Sequence, residues 1–310
     1  MINENISIKE NDGIQRSVHA RPFLKWAGGK SQLLEVLKSN LPENLGNDIK
    51  KYCEPFVGGG ALLFALLENY RFEEVCINDI NSELMNAYTV IRDNCGDILT
   101  ELQKYQNEYG KKDVQSRRIY YYEKRDLFNS TLLGKKTSIN KAALFIFLNK
   151  TCFNGLYRVN GSGKFNVPVG EYKNPLICDE TNLKNVSFAL SKVELKSCNY
   201  SECERFIDNN TFVYIDPPYR PLNKTSFTAY DTYGFNDEKQ KKLAGFFKSL
   251  DGKGAKLLLS NSDPKNADKE DNFFDNLYGG YNIQRVNALR MINSNAVNRG
   301  KITELLIKNY

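Results

Sequence analysis

Short apolar runs punctuate this chain, and most end in a polar or glycine-rich segment followed by residues at helical spacing. The runs at 51–54, 74–77, 212–215 and 256–259 are strand-like. The run 212–215 is continuous rather than alternating, as in a parallel sheet covered on both faces. A further strand is expected near Val193, and residues 281–286 and 302–307 read as closing strands. Leu84, Ala87, Tyr88 and Ile91 recur at helical spacing through 82–93. Helices are also expected at 61–68, 139–148 and 237–250, with an amphipathic one running from Ser31 to about Leu41. This strand–helix alternation predicts an α/β sheet of Rossmann-like build, with its chemistry at the carboxyl ends of the strands.

One stretch breaks the alternation. Residues 104–136 are charged and rich in tyrosine. After the 139–148 helix come two β-like segments, 155–160 and 164–169, around Gly161-Ser162-Gly163, which signals a hairpin. From Lys104 to Pro175 there are 14 Lys/Arg against 5 Asp/Glu, a local +9, so with a total of +6 the rest of the chain sums to −3. Such asymmetry suits a surface that faces a polyanion; the plainer alternative is a solvated basic face. The expected organisation is a flexible tail (1–20), a sheet domain (21–104 and 195–310) and an inserted domain (105–194).

Composition removes several chemistries. With 41% hydrophobic and 26% charged residues, the chain has ordinary globular composition and material for a core. Mean hydropathy is −0.51. No apolar stretch approaches the roughly 18 residues of a spanning helix, and the polar N-terminus lacks a secretory apolar region. A soluble cytoplasmic protein is expected. The single histidine, His19, argues against a histidine triad, metal site or proton shuttle. The seven cysteines (Cys53, Cys76, Cys95, Cys152, Cys178, Cys198, Cys203) contain no C-x-x-C pair and read as reduced thiols, with no metal expected.

Three motifs carry candidate chemistry. Gly28-Gly29-Lys30-Ser31 resembles the end of a phosphate-binding loop, but Leu24 stands where that motif needs its first glycine. Glu54-Pro55-Phe56-Val57-Gly58-Gly59-Gly60 lies at a strand-to-helix turn, where glycines let backbone approach a ligand or simply make a tight turn. Asp79 follows Gly60 and ends the next strand. A carboxylate there can accept both hydroxyls of a ribose, or Asp79 or Asn81 can cap the following helix. Together the loop and the acid favour a ribosyl cofactor.

The most specific motif is Asp216-Pro217-Pro218-Tyr219 at the end of a buried strand. The prolines stiffen the backbone and lack N–H groups. The Pro217 carbonyl and Asp216 offer two acceptors beside the flat face of Tyr219, which suits a planar ring bearing an NH₂ group. Hydrogen bonds to both amino hydrogens draw nitrogen toward a pyramidal shape and release its lone pair for attack on an electrophilic methyl.

These residues resemble those of DNA adenine methyltransferases of the Dam/DpnII type. The resemblance runs from about Arg21 to Tyr310 and is anchored by Phe23 to Lys30, Glu54 to Gly60, Asn78-Asp79, Cys152 to Asn160, Phe165 to Gly170 and Asp216 to Tyr219. It implies a Rossmann-like methyltransferase sheet with an inserted helical and β-hairpin DNA-recognition domain, and S-adenosylmethionine as methyl donor. It implies that Trp26, Ala27, Gly28 and Lys30 border the cofactor's methionine part, and that Glu54, Pro55, Phe56, Gly58, Gly59 and Gly60 line its adenosyl side. Asp79 would hold the ribose, and Asp216, Pro217, Pro218 and Tyr219 a flipped adenine, with Asp216 also beside the cofactor. Where the family often has an acid before an aromatic, contacting the cofactor's adenine, this chain has Asn199-Tyr200, and an amide can still bind adenine there; Glu171 stands where a basic residue near the DNA phosphates is frequent.

Enzymes of this type methylate GATC in double-stranded DNA. The resemblance implies that Arg158 forks onto guanine, that Phe153 stacks into the space beside the flipped base, and that Asn154 is among the DNA-binding residues of the hairpin. Leu156 and Pro168 would meet a thymine methyl, and Lys25 the first guanine. Thr225, Ser226 and Thr228 would hold phosphate. A companion restriction endonuclease is the partner that a restriction–modification setting implies. The alternatives are a different target sequence, methylation of cytosine, RNA or a protein amide, and a catalytically silent DNA-binding relative.

Overall fold

The computed structural model describes residues 19–131, 137–220, 235–289 and 301–310. Its frame is a seven-stranded sheet in the order β3-β2-β1-β4-β5-β7-β6. The strands are β1 (Lys51–Glu54), β2 (Glu74–Asn78), β3 (Val193–Lys196), β4 (Thr211–Ile215), β5 (Lys256–Ser262), β6 (Asn282–Leu289) and β7 (Lys301–Lys308). The pairs from β3 across to β5 are parallel, and β7 enters antiparallel between β5 and β6. All seven strands expected for the sheet are present. β5 runs on through Ser260, Asn261 and Ser262 because β7 pairs with each of them.

The central strands form where the apolar runs predict them. All of β4 is buried, as parallel strands covered on both faces require. Helices α2 (Ala61–Asn69) and α3 (Ser82–Asp93) follow β1 and β2. Asn81 caps α3, its side chain accepting the Leu84 N–H at 3.0 Å. The expected helix from Ser31 to Leu41 is instead a single turn at Lys30–Gln32 and the short α1 (Leu34–Lys38).

The insertion is mainly helical: α4 (Cys95–Gly110), α5 (Val114–Ser130) and α6 (Ile139–Thr151), with α7 (Glu180–Leu190) returning to the sheet. The boundary at 104/105 falls inside α4, and that at 194/195 inside β3. Residues from Lys141 to Leu148 are all buried, the mark of a helix surrounded by protein. Lys141 is tolerated there because its ammonium donates to the Phe128 and Thr131 carbonyls, each at 2.6 Å. One apolar core joins α6 to the sheet face that carries Tyr52 and Phe212. A second core covers the opposite face, beneath α8 (Asp237–Gly252) and the short α9 (Phe273–Leu277).

The expected hairpin strands at 155–160 and 164–169 do not form a regular ladder. Isolated bridges join Cys152 to Val169 and Val159 to Phe165. Backbone bonds still join the arms at intervals, from the Asn160 N–H to the Lys164 carbonyl at 2.9 Å and from the Asn166 N–H to the Arg158 carbonyl at 3.1 Å, and Asn129 of α5 adds to them, accepting the Phe165 N–H at 2.8 Å and donating to its carbonyl at 3.0 Å. Among the described residues no helix is long and apolar enough to cross a membrane. The thiols are less dispersed than their spacing suggested, since Cys53, Cys76 and Cys203 converge beneath the sheet.

Candidate active site

Asp216 follows β4 directly, at the carboxyl edge of the sheet. Its Oδ1 accepts two hydrogen bonds, from Lys30 Nζ at 2.9 Å and Ser260 Oγ at 2.8 Å. Ser260 is fully buried on β5, and the Tyr214 hydroxyl lies 3.0 Å from its Oγ. An ionised carboxylate only accepts, so Ser260 donates to Asp216 and Tyr214 donates to Ser260. Among the described residues, neither Asp216 Oδ2 nor the Pro217 carbonyl has a protein donor. Two acceptors are therefore left at the mouth of the loop.

Lys30 fills the space beside them. Its ammonium also donates to the Gly28 carbonyl at 2.9 Å and lies 4.4 Å from the centre of the Tyr219 ring. Tyr219 is fixed at its far end, where its hydroxyl donates to Glu304 of β7 at 2.5 Å. Burial pushes the Tyr219 phenol well above its ordinary pKa, with the negative charges of Asp216 and Glu304 adding to the effect. The loop is gripped from behind as well. Gln240 of α8 donates to the Pro218 carbonyl at 3.3 Å. Arg220 pairs with Asp237 at 2.7 Å and Asp271 at 2.6 Å.

The glycine loop is tied to Asp79. Asp79 Oδ2 accepts the Gly58 N–H at 3.1 Å, and Oδ1 accepts the Asn81 N–H at 2.9 Å. The helix cap is thus Asn81, and each Asp79 oxygen retains accepting capacity. Burial raises the Asp79 pKa, opposed by those two N–H groups. Gly58 has φ +49°, and a Cβ there would lie 2.8 Å from the Trp26 ring, so only glycine lets loop and indole pack together. Asn78 latches three segments: it donates to the Pro55 carbonyl at 3.0 Å and the Cys198 carbonyl at 3.1 Å, and accepts the Cys198 N–H at 2.9 Å.

Phe56 and Tyr200 face each other with ring centres 5.1 Å apart. Asn199 caps the following 3₁₀ turn, its oxygen accepting the Ser201 N–H at 3.1 Å. Glu54 and Pro55 are buried beneath the loop. The Glu54 carboxyl is hydrogen-bonded to Tyr52. Burial pushes it up to about 8, opposed by the Tyr52 bond and reinforced by the charge of Asp216.

The hairpin meets this site through the segment before Lys30. Trp26 stacks on Tyr157 at 5.9 Å between ring centres. Asn149 of α6 accepts the Lys25 N–H at 2.9 Å and donates to the Lys25 carbonyl at 2.7 Å and the Gly155 carbonyl at 2.9 Å. Gly155, at φ +63°, leaves room for the Lys25 stem, which a Cβ would meet at 2.4 Å. The Lys25 ammonium sits 3.8 Å from the centre of the Tyr172 ring. Phe153 is 51% exposed, and Asn154 beside it is left-handed at φ 53°. Leu156 is half-buried and Pro168 exposed. Arg158 is braced by the opposite arm, its Nε donating to Asn166 Oδ1 at 2.7 Å. Thr225, Ser226 and Thr228 lie outside the described residues.

The structure thus brings Trp26, Lys30, Gly58 and Tyr219 close to Asp79 or Asp216. Lys30 reaches the loop after β4 from the segment that the family resemblance assigns to a cofactor's methionine end. Four contributors escaped the sequence reading: Ser260, Tyr214, Glu304 and Asn149. The sequence carries a partial signal for Ser260, which follows the run 256–259 as Asp216 follows 212–215. The register sets the two side by side, since Leu259 and Ile215 are ladder partners. Ile80, next to Asp79, is 75% exposed and offers an apolar face at the same site.

The mixed seven-stranded sheet places the protein in the α/β fold class of S-adenosylmethionine-dependent methyltransferases. The model of the D12 class N6 adenine-specific DNA methyltransferases matches residues 26–292, and the chain belongs to that family. It is 50% identical to a type II methyltransferase, M.MjaIII, of Methanocaldococcus jannaschii, over 94% of this chain and 100% of that protein. It is 37% identical to the type II methyltransferase M1.LlaDCHI of Lactococcus lactis subsp. cremoris, over 96% and 98% of the two chains. A DNA adenine methylase of Haemophilus influenzae is 33% identical over 92% of each chain.

Proposed function

We propose that this protein methylates the exocyclic amino group of adenine in duplex DNA, within GATC, after flipping the base out of the stack. The observation that carries this reading is Asp216, whose Oδ1 is held by Lys30 at 2.9 Å and Ser260 at 2.8 Å while, among the described residues, Oδ2 and the Pro217 carbonyl have no protein donor. An amino group on a flat ring needs two such acceptors and a stacking face, which Tyr219 supplies. Asp216 and the Pro217 carbonyl accept its two hydrogens and free the nitrogen lone pair. S-adenosylmethionine, when bound, supplies the electrophilic methyl group. Asp79 accepts the ribose hydroxyls, Phe56, Ile80 and the glycine loop flank the adenosyl part, and Trp26, Ala27 and Gly28 border the methionine part. Flipping follows from access, because the amino group is otherwise enclosed in the duplex.

On this reading residues 105–194 hold the DNA-reading surface, and 21–104 with 195–310 the catalytic sheet. Arg158 reads guanine, Lys25 the first guanine, Leu156 and Pro168 a thymine methyl, and Phe153 with Asn154 fills the space beside the flipped base. The names of the relatives support adenine methylation, and the two type II names support a restriction–modification setting with a companion endonuclease. The intact catalytic constellation favours an active enzyme over a silent DNA-binding relative. The test is labelled methyl transfer to duplexes carrying GATC and each single-base variant. Transfer concentrated on GATC, with the label recovered as N6-methyladenine, is expected. Equal transfer to all duplexes, or label on cytosine, refutes the reading.

A further inference from the structure

Three thiols meet on the sheet face away from the insertion. Cys53 on β1 and Cys76 on β2 are direct register partners, and Cys203 lies in the 3₁₀ turn Tyr200–Arg205. All three are fully buried, and their sulfurs lie within 4.8 Å of one another. An ion at the centre of a triangle with sides of 4.8 Å is ~2.8 Å from each sulfur, only about 0.5 Å beyond a Zn–S bond of ~2.3 Å. Small side-chain adjustments close that gap.

The surroundings suit a soft cation. Thiolate is the preferred ligand of thiophilic d¹⁰ ions. The cluster sits close to the sheet's edge strand, β3, where exposed Glu194 stands opposite Cys76 in the ladder. Two residues on, Lys196 pairs with Glu194 at 3.2 Å; a positive charge on this side favours thiolate over thiol and offsets the net −1 of three thiolates around a divalent ion. We propose that Cys53, Cys76 and Cys203 form a binding site for one thiophilic divalent cation of the zinc group. Binding releases three thiol protons and forms three metal–sulfur bonds, with no change of oxidation state.

The position gives the site a consequence. Each cysteine lies within three residues of a segment of the cofactor side: Cys53 leads into Glu54 to Gly60, Cys76 stands two residues before Asn78, and Cys203 three after Tyr200. A shared ion ties these three segments together from behind, outside the reacting groups.

The probe is Cd²⁺, titrated into the reduced, metal-free full-length protein. One tightly held ion per chain is expected, with thiolate-to-metal absorption and a cadmium NMR shift characteristic of three sulfur ligands. Cys203→Ala and Cys53→Ala should each lose that ion, whereas Cys95→Ala and Cys178→Ala keep it. Circular dichroism checks that each variant is folded, and the wild-type NMR shift tests the ligand set without any substitution. No stoichiometric ion in the wild type, a shift showing two or fewer sulfurs, or equal binding by folded Cys203→Ala overturns the proposal.

Discussion

Ser260→Ala tests whether Asp216 works as an oriented acceptor. The substitution removes one of two donors on Asp216 Oδ1, the hydroxyl at 2.8 Å, and leaves Lys30 as the other. Ser260 is fully buried, so water does not readily replace the lost donor. A hydrogen bond to a charged group contributes about 1.5–3 kcal/mol. If that energy serves mainly to hold Oδ2 toward the substrate amine, it appears in the chemical step. At ~1.4 kcal/mol per decade of rate, the expected loss in single-turnover rate is roughly 10- to 150-fold. Cofactor and DNA affinities should stay near wild type, because among the described residues the Ser260 hydroxyl bonds only Asp216 and Tyr214. The variant also orphans the buried Tyr214 hydroxyl, at a stability cost of about 1–3 kcal/mol. The double variant Ser260→Ala/Tyr214→Phe removes that orphan, so it should recover melting temperature but not rate. The assay is labelled methyl transfer with cofactor preloaded, alongside thermal melts. A single-turnover rate near wild type in Ser260→Ala, or a double variant that regains both stability and rate, refutes the reasoning.

Three further outcomes are expected. Asp79→Ala should weaken S-adenosylmethionine binding by about 1.5–3 kcal/mol in calorimetry; an unchanged dissociation constant in a folded variant would leave Asp79 only its bracing of Gly58 and Asn81. Glu54 is raised from 4.5 to about 8, so the folded chain binds more protons than the unfolded chain across that window. Its stabilisation is full below the unfolded value and is lost as pH rises toward 8, so Glu54→Gln should flatten the decline of melting temperature on that interval; an unaltered slope contradicts the assignment. Arg158→Ala should lower methylation of GATC and narrow the gap to variants altered at one guanine-containing pair, each such contact being worth about 1–3 kcal/mol. Constant ratios with a uniform loss would make Arg158 a phosphate or bracing residue.

The strands were legible because burial on both faces leaves an apolar run such as Phe212 to Ile215. The glycine loop and Asp216-Pro217-Pro218-Tyr219 were legible because their local backbone demands are written in adjacent residues. What escaped depends on partners far along the chain. Ser260, Asn261 and Ser262 are polar, yet they are strand because β7 supplies their hydrogen bonds. The hairpin arms read as strands, but they pair only at intervals, and Asn129 from another helix takes the backbone N–H and carbonyl of Phe165. The cysteine spacing hid a cluster that only the register of β1 against β2 creates.

Trp26 shows why the motif before Lys30 is so compact. Its ring lies against the glycine loop, where a Cβ on Gly58 would come within 2.8 Å, and it stacks on Tyr157 of the hairpin at 5.9 Å. Four residues later Lys30 reaches Asp216, and one residue earlier Lys25 is pinned by Asn149, which also holds Gly155. The segment from Lys25 to Lys30 thus meets the hairpin, the glycine loop and the Asp216 loop at once, and each residue type answers one of those contacts: the indole packs on the loop and on Tyr157, the Lys25 stem fills the space left by Gly155, and the Lys30 ammonium closes on Asp216.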